Sequence, residues 1–274
     1  MSIFFAGNEL TQRKGIFYPS SINYDSDFLT WYANVVAAGS SISTQNIITL
    51  NKFFNDLKIN NLWNSITQAN ILCGTSSLSG CLIPIKGATP INNNFVSRDF
   101  SVTAGLQSNG LTKWLDTTIL ESSFSTNPDS VGLHFFIASS LINNPIVINT
   151  YFIGAVTSTG SGGSRIYAPN SGSNQLNGQL NVGSTASIGT ALTGLNPNRI
   201  GISRQNGFLN RYLNGTTNNA SNPIGTISTT NTIGVYATAG QQKINASLQF
   251  YCFGYFVDLA TLDSVVSSMI SALV

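Results

Sequence analysis

The hydrophobic positions change their period twice along the chain. In DFLTWYANVVAAG, Phe28, Leu29, Trp31, Tyr32, Val35 and Val36 recur at three and four, and Gly39 follows as a stop. In STQNIITLNKFFNDLKINNLW, Ile47, Leu50, Phe54 and Leu57 line one helical face, with Ser43 as N-cap and Asn60-Asn61 as the end. Leu62, Trp63 and Ile66 predict a short third helix. From residue 71 the period becomes two. Runs of Val, Ile, Phe and Tyr, punctuated by Gly, Asn, Ser and Pro, predict strands at 82–86, 99–104, 113–119, 131–140, 147–156, 164–168, 178–183, 199–204, 208–213, 232–238 and 247–257. The last residues return to helical spacing. Leu262, Val265, Val266, Met269 and Leu273 share a stripe, Thr261 is the expected N-cap, and Asp263 suits the positive end of the helix.

Three strands say more than the rest. In VGLHFFIA, Val131, Leu133, Phe135 and Ile137 share one face and His134 takes the other. In SLQFYCFGYFV both faces are apolar: Leu248, Phe250, Cys252 and Phe256 point one way, Tyr251, Phe253, Tyr255 and Val257 the other. That strand is expected to be central, covered on one side by an opposing sheet and on the other by the N-terminal helices or a partner subunit. In NGFLNRYLNG, Asn-Gly brackets one six-residue strand, so two two-residue turns are expected. Its upstream partner is RIGISR, and its downstream partner is sought within 224–238.

These elements predict a mainly β fold, an antiparallel β-sandwich with a small N-terminal helical segment and a C-terminal helix. No helices alternate with the strands, which excludes a parallel doubly wound sheet. The organisation reads as an N-terminal arm (1–25), a helical lead (26–70) and a sandwich domain (71–274) ending in the amphipathic helix.

Composition narrows the function. Of 274 residues, 42% are hydrophobic and only 8% charged, against roughly 25% in ordinary domains. That hydrophobic share rules out a disordered chain. The neutral, amide-rich polarity suits a protein held in an assembly or facing sugars. The net charge is +2 with no basic run, which argues against nucleic-acid binding. Cys73, Cys81 and Cys252 are an odd, sparse set and are expected as buried thiols. MSIFFAGNELTQRKG lacks the make-up of a secretory signal, and no run is long enough for membrane insertion.

Candidate chemistry is sparse. Asp116 and Glu121 lie five apart and would face opposite ways on a regular strand, so no glycosidase carboxylate pair is expected. The sole histidine, His134, has no nucleophile motif beside it and is expected as a hydrogen-bonded, half-buried residue. Asp25 and Asp27 are accounted for by helix capping. No catalytic residue, metal site or cofactor is predicted. Trp114 is expected as a core anchor rather than a sugar-stacking ring. The glycine-rich stretch TSTGSGGSR (157–165) lacks the phosphate-loop pattern. It reads as a surface loop that can rim a ligand site, with Arg165, Tyr167 and Asn170 supplying donors and an aromatic face for a sugar.

Several tracts resemble a known protein type. NIITLNKFFNDLKINNLWNSI, ILCG and SRDFSVTAGLQSNGLTKWLDT, then RIGISRQNGFLNRYLNG and FGYFVDLATLDSVVSSMISALV, are similar to tailed-phage and prophage virion proteins with a concanavalin A-like (laminin-G-like) jelly roll. The resemblance covers residues 26–274. It implies a non-enzymatic virion structural protein of a tail fibre, baseplate appendage or capsid surface, assembled in the host cytoplasm. Its implied partners are other copies of itself, as a trimer, other virion proteins, and host cell-surface glycans. It supplies no catalytic residues. A free carbohydrate-binding lectin-like module and a glycan-degrading enzyme are the alternative readings.

Overall fold

A computed structural model describes residues 3–5, 8–10, 23–124, 132–143, 150–155, 163–168, 175–180, 186–190, 197–221, 231–237 and 243–273. At the start, β1 (Ile3–Phe5) and β2 (Asn8–Leu10) pair as a hairpin. Helix α1 spans Ser26–Ala37 and α2 spans Thr44–Ile59. Asp25 caps α1 by accepting from the N–H groups of Asp27 and Phe28, and Lys58 closes on Asp25 and Asp27. Ser43 caps α2 as expected, and the left-handed Asn61 follows its end.

The remaining strands form two antiparallel sheets. The first is an eight-stranded sheet with β3 (Ile66–Ile71), β5 (Phe100–Ser101), β6 (Gly105–Gln107), β8 (Leu133–Ile142), β13 (Asn198–Gln205), β14 (Phe208–Leu213), β15 (Thr216–Ser221) and β17 (Ala246–Gly254). Its order is β15-β14-β13-β8-β17-β6-β5, with β3 also paired to β17. The second sheet is seven-stranded. It runs β12 (Ala186–Thr190), β11 (Gln175–Gln179), β10 (Ser164–Ala168), β9 (Thr150–Ala155), β16 (Thr232–Val235), β7 (Trp114–Leu120), β4 (Ile91–Asn93). A short α3 (Leu78–Cys81) and the terminal α4 (Leu259–Ala272) complete the described elements. This is the expected antiparallel sandwich with helices, compatible with a jelly roll.

Two cores stack in three layers. One lies between the sheets and includes Phe135, Ile153, Ile166, Ile202 and Phe253. The other lies between the eight-stranded sheet and α1, α2 and α4, and includes Phe28, Phe54, Phe136, Phe250 and Met269. Strand β17 is central and apolar on both faces, because the inter-sheet core takes Tyr251 and Phe253 while the helices take Phe250 and Cys252. Val257, past the strand's end at Gly254, packs with the helices and not in the inter-sheet core, and Leu248 also departs from the expected alternation. A register shift between Leu248 and Phe250 turns it into the inter-sheet core instead of toward the helices.

Other expectations are corrected. The third helix is a 3₁₀ turn over Trp63–Ser65, after which Ile66–Ile71 enters the sheet against β17. Residues 82–86 are not a strand. Pro84 has no N–H to give a ladder, and only a bridge from Lys86 to Ala69 remains. Two strands are displaced from their expected spans, with β11 at Gln175–Gln179 and only Phe100–Ser101 extended within 99–104. The downstream partner of Phe208–Leu213 is Thr216–Ser221, not a segment of 224–238. A two-residue turn forces immediate pairing, so Leu213 faces Thr216, and a polar edge strand leaves no hydrophobic signal. Both turns have the positive φ that they require, at Asn206, Gly207, Asn214 and Gly215. The last helix begins three residues early, because the Asp258 carboxylate accepts from the Thr261 N–H and takes the cap itself.

The three cysteines are free and buried, and burial pushes the Cys73 thiol up to about 12. His134 is fully buried, its Nδ1 bonded to the Tyr255 carbonyl and its Nε2 3.5 Å from Cys252 Sγ. Among the described residues no helix is long and apolar enough to cross a membrane.

Candidate functional site

The eight-stranded sheet is covered on both sides over its centre, since one side meets the other sheet and the other meets the helices, and its exposed positions include the edge strand β15. The seven-stranded sheet is different. One face packs into the inter-sheet core, and its other face carries none of the described helices. Alternation sends specific side chains to that outward face. In β10, Ile166 and Ala168 are core residues, so Arg165 and Tyr167 point outward. In β9, Ile153 and Ala155 face the core and Gly154 faces outward. Ile233 and Val235 do the same for Gly234 in β16, and Leu115 and the buried Thr117 for Asp116 in β7.

Register joins these positions into a row. Gln179 pairs with Arg165, Arg165 with Gly154, Gly154 with Gly234, Gly234 with Asp116, and Asp116 with Ile91. A second row runs Ser187, Asn177, Tyr167, Tyr151, with Lys243 bridging to Tyr151. The two rows align because β9 shifts register between Ile153 and Tyr151, which returns Tyr151 to the outward face. The glycines permit close approach at the centre. A Cβ on Gly154 would meet the Ser164 carbonyl at 2.5 Å and Arg165 Cβ at 2.7 Å, and one on Gly234 would meet the Ala237 carbonyl at 2.8 Å.

Arg165 is held from three directions. Its Nε donates to Gln179 Oε1 at 3.0 Å, and its Nη1 lies 3.4 Å from the Tyr151 hydroxyl. Its guanidinium carbon stands 4.3 Å from the Tyr167 ring centre and 5.8 Å from that of Tyr151, and the two rings stack at 5.7 Å. Tyr167 is only 6% exposed. Its ring therefore positions Arg165 and does not present an open face for a sugar to stack on. Trp114 is half-buried. It packs against the core edge, as an anchor does, and its ring lies 3.4 Å from the Cβ position of Gly234, beside Asp116.

The structure thus joins Arg165 and Tyr167, as the sequence suggested, while Asn170 and residues 157–162 of the glycine-rich loop lie outside the described residues. Sequence reasoning missed Tyr151, Gln179 and the Gly154–Gly234 pair, whose only signal is their register against β10. Asp116 and Glu121 diverge. Asp116 stands on the outward face and accepts from the Thr118 N–H, whereas Glu121 is buried and accepts from the Ser164 hydroxyl. Among the described residues no group of three or more His, Cys, Asp or Glu gathers as a metal site.

No family model matches the chain, and no curated protein matches its sequence. Among solved structures, Trypanosoma rangeli sialidase in complex with 2,3-difluoro-KDN aligns over 82% of this chain and 40% of that one, with a TM-score of 0.50 and 8% identity. Another structure of Trypanosoma rangeli sialidase aligns over 82% and 39%, with a TM-score of 0.48 and 8% identity. Ruminococcus gnavus IT-sialidase CBM40 bound to alpha2,3 sialyllactose aligns over 53% and 84%, with a TM-score of 0.36 and 12% identity. The chain spans about two fifths of the length of the sialidases it matches. At such identity the likeness is one of fold.

Proposed function

We propose that this chain is a non-enzymatic glycan-binding sandwich protein of a tailed-phage virion, which presents the outward face of its seven-stranded sheet to a host-surface glycan. One observation carries the binding reading. Arg165 is braced on that face, with Trp114 and Asp116 standing across the two glycines from it. A guanidinium, a carboxylate and an indole edge are the donor, acceptor and apolar surface that a sugar requires. The helical layer lies behind the sandwich, and on this face Tyr151, Tyr167 and Gln179 are buried, so the partly exposed Arg165, Trp114 and Asp116 are the positions that a ligand would reach.

The virion setting is supported by the sequence resemblance of residues 26–274, and the low charge suits packing beside other copies and other virion proteins. Binding rather than hydrolysis through a carboxyl pair is supported by the divergence of Asp116 and Glu121, since glycosidases of that kind place two carboxyl groups on either side of one bond.

A glycan array probed with the whole chain tests the binding, with Asp116→Asn as the paired variant. The expected result is saccharide binding that weakens several-fold in the variant while the thermal midpoint is kept. A blank array would overturn the reading. Antibody labelling of purified particles in the electron microscope tests the setting, and particles that lack this chain would remove it.

A further inference from the structure

We infer that the ligand of this face is a glycan ending in a carboxylate-bearing sugar, with the carboxylate on the outer edge of Arg165 and a neutral sugar extending toward Trp114 and Asp116. The inference rests on the glycan-binding reading above and specifies its chemistry.

The first argument is a charge census. The chain has only ten carboxylate side chains. Asp25 and Asp27 hold Lys58, Asp56 holds Lys52, Asp99 holds Lys113, and Asp263 holds Arg199. Among the described residues no carboxylate pairs with Arg165. What holds it is an amide carbonyl and two tyrosine rings, which orient a guanidinium without neutralising it.

The second argument is geometric. Gln179 uses Nε and Tyr151 uses one side of Nη1, so among the described residues the edge formed by Nη2 and the other N–H of Nη1 is the part left for a ligand. Two parallel N–H groups in one plane match a carboxylate, which accepts both at once. The bracing by Tyr167, Tyr151 and Gln179 removes the rotamer freedom that a lone surface arginine would lose on binding.

The third argument sets direction. Asp116 lies three strand spacings from Arg165 along the row, or about 14 Å. That span exceeds a single pyranose ring. A second carboxylate there would be repelled by Asp116, whereas sugar hydroxyls would donate to it. Charge is therefore expected at one end of the glycan only.

The test uses the whole chain on an array of glycans with terminal carboxylated, sulfated or neutral sugars. The best carboxylated binder is then measured again as its methyl ester. Binding is expected to be confined to carboxylated termini, and esterification is expected to weaken it at least ten-fold. Arg165→Gln should match that loss and Arg165→Lys should lose less, because the charge stays while the planar fork goes. Should Arg165→Gln fail to fold, the ester comparison on the unaltered protein still decides the matter. Equal binding of acid and ester, or a preference for neutral or sulfated termini, overturns this inference and leaves glycan binding standing. No binding to any glycan overturns both.

Discussion

Asn206 and Asn214 share one backbone conformation, with φ of 53° and 47°, and each precedes a glycine. Their side chains are held differently. Asn214 Oδ1 accepts from the Arg199 N–H at 2.7 Å and its amide reaches Asn198, whereas Asn206 is exposed and its side chain makes no hydrogen bond among the described residues. Deamidation requires the glycine nitrogen to attack the side-chain carbonyl carbon. Ammonia leaves, and water then opens the succinimide. The amide must rotate for this, so Asn206 should deamidate several-fold faster than Asn214 at mildly alkaline pH, as read by peptide mapping. Equal rates would show that the Arg199 contact does not restrain Asn214. His134 gives a second prediction at this scale. Burial lowers its pKa from the ordinary 6.5 to about 4, so the folded protein holds it neutral. Its stabilising effect is complete above pH 6.5 and is lost as pH falls toward 4, with a ceiling of roughly 3 kcal/mol. Denaturant midpoints should fall across that window in the native protein and stay flatter in His134→Gln. The lowered carboxyls of Asp25 and Asp99 release their stabilisation only below their ordinary 3.8, outside the window.

Most elements with a local cause were legible, the cap of α4 at Asp258 instead of Thr261 being an exception. The caps of Asp25 and Ser43, the stop at Gly39 and the two Asn-Gly turns need only neighbouring residues, and all were readable. β15 was not, because TTNNAS is polar and becomes a strand only through the turn that returns it along β14. Helix α4 shows how an element is fastened. Asp263 accepts from the Tyr212 hydroxyl and pairs with Arg199, so one buried carboxylate ties the helix to β13 and β14. The same contact helps raise the Tyr212 pKa well above its ordinary range, after burial as the main cause. Asp263→Ala strands a guanidinium and a hydroxyl, and should cost roughly 2–4 kcal/mol by urea unfolding. Asp263→Asn should cost less, since it keeps one acceptor. A neutral result for Asp263→Ala would mean that α4 is held by Leu262, Val266 and Met269 alone.

At the scale of the whole molecule, three layers divide the labour. The helices cover one face of the eight-stranded sheet, the two sheets cover each other, and the outward face of the seven-stranded sheet carries the proposed site. Binding-sensitive positions should therefore concentrate on that face. Lys52→Ala, on the far side of the molecule, removes an exposed pair with Asp56 worth at most about 0.5 kcal/mol and should leave both the thermal midpoint and glycan binding unchanged. A loss of binding in that variant would relocate the site to the helical layer.

Period, turn chemistry and capping depend on residues a few positions apart, and the sequence by itself determined them. It specified a sandwich with helices at both ends, a central strand apolar on both faces, and Arg165 and Tyr167 on one side of one strand. Pairing across a sheet is non-local. Arg165, Gly154, Gly234 and Asp116 come from four separate strands, and only register places them in one row. The bulge that turns Tyr151 outward, and the burial that makes Tyr167 a brace rather than a sugar platform, likewise exist only once the strands are paired. The tertiary structure decided the site because its residues become neighbours through backbone hydrogen bonds between strands, and those bonds carry no side-chain signature in the sequence.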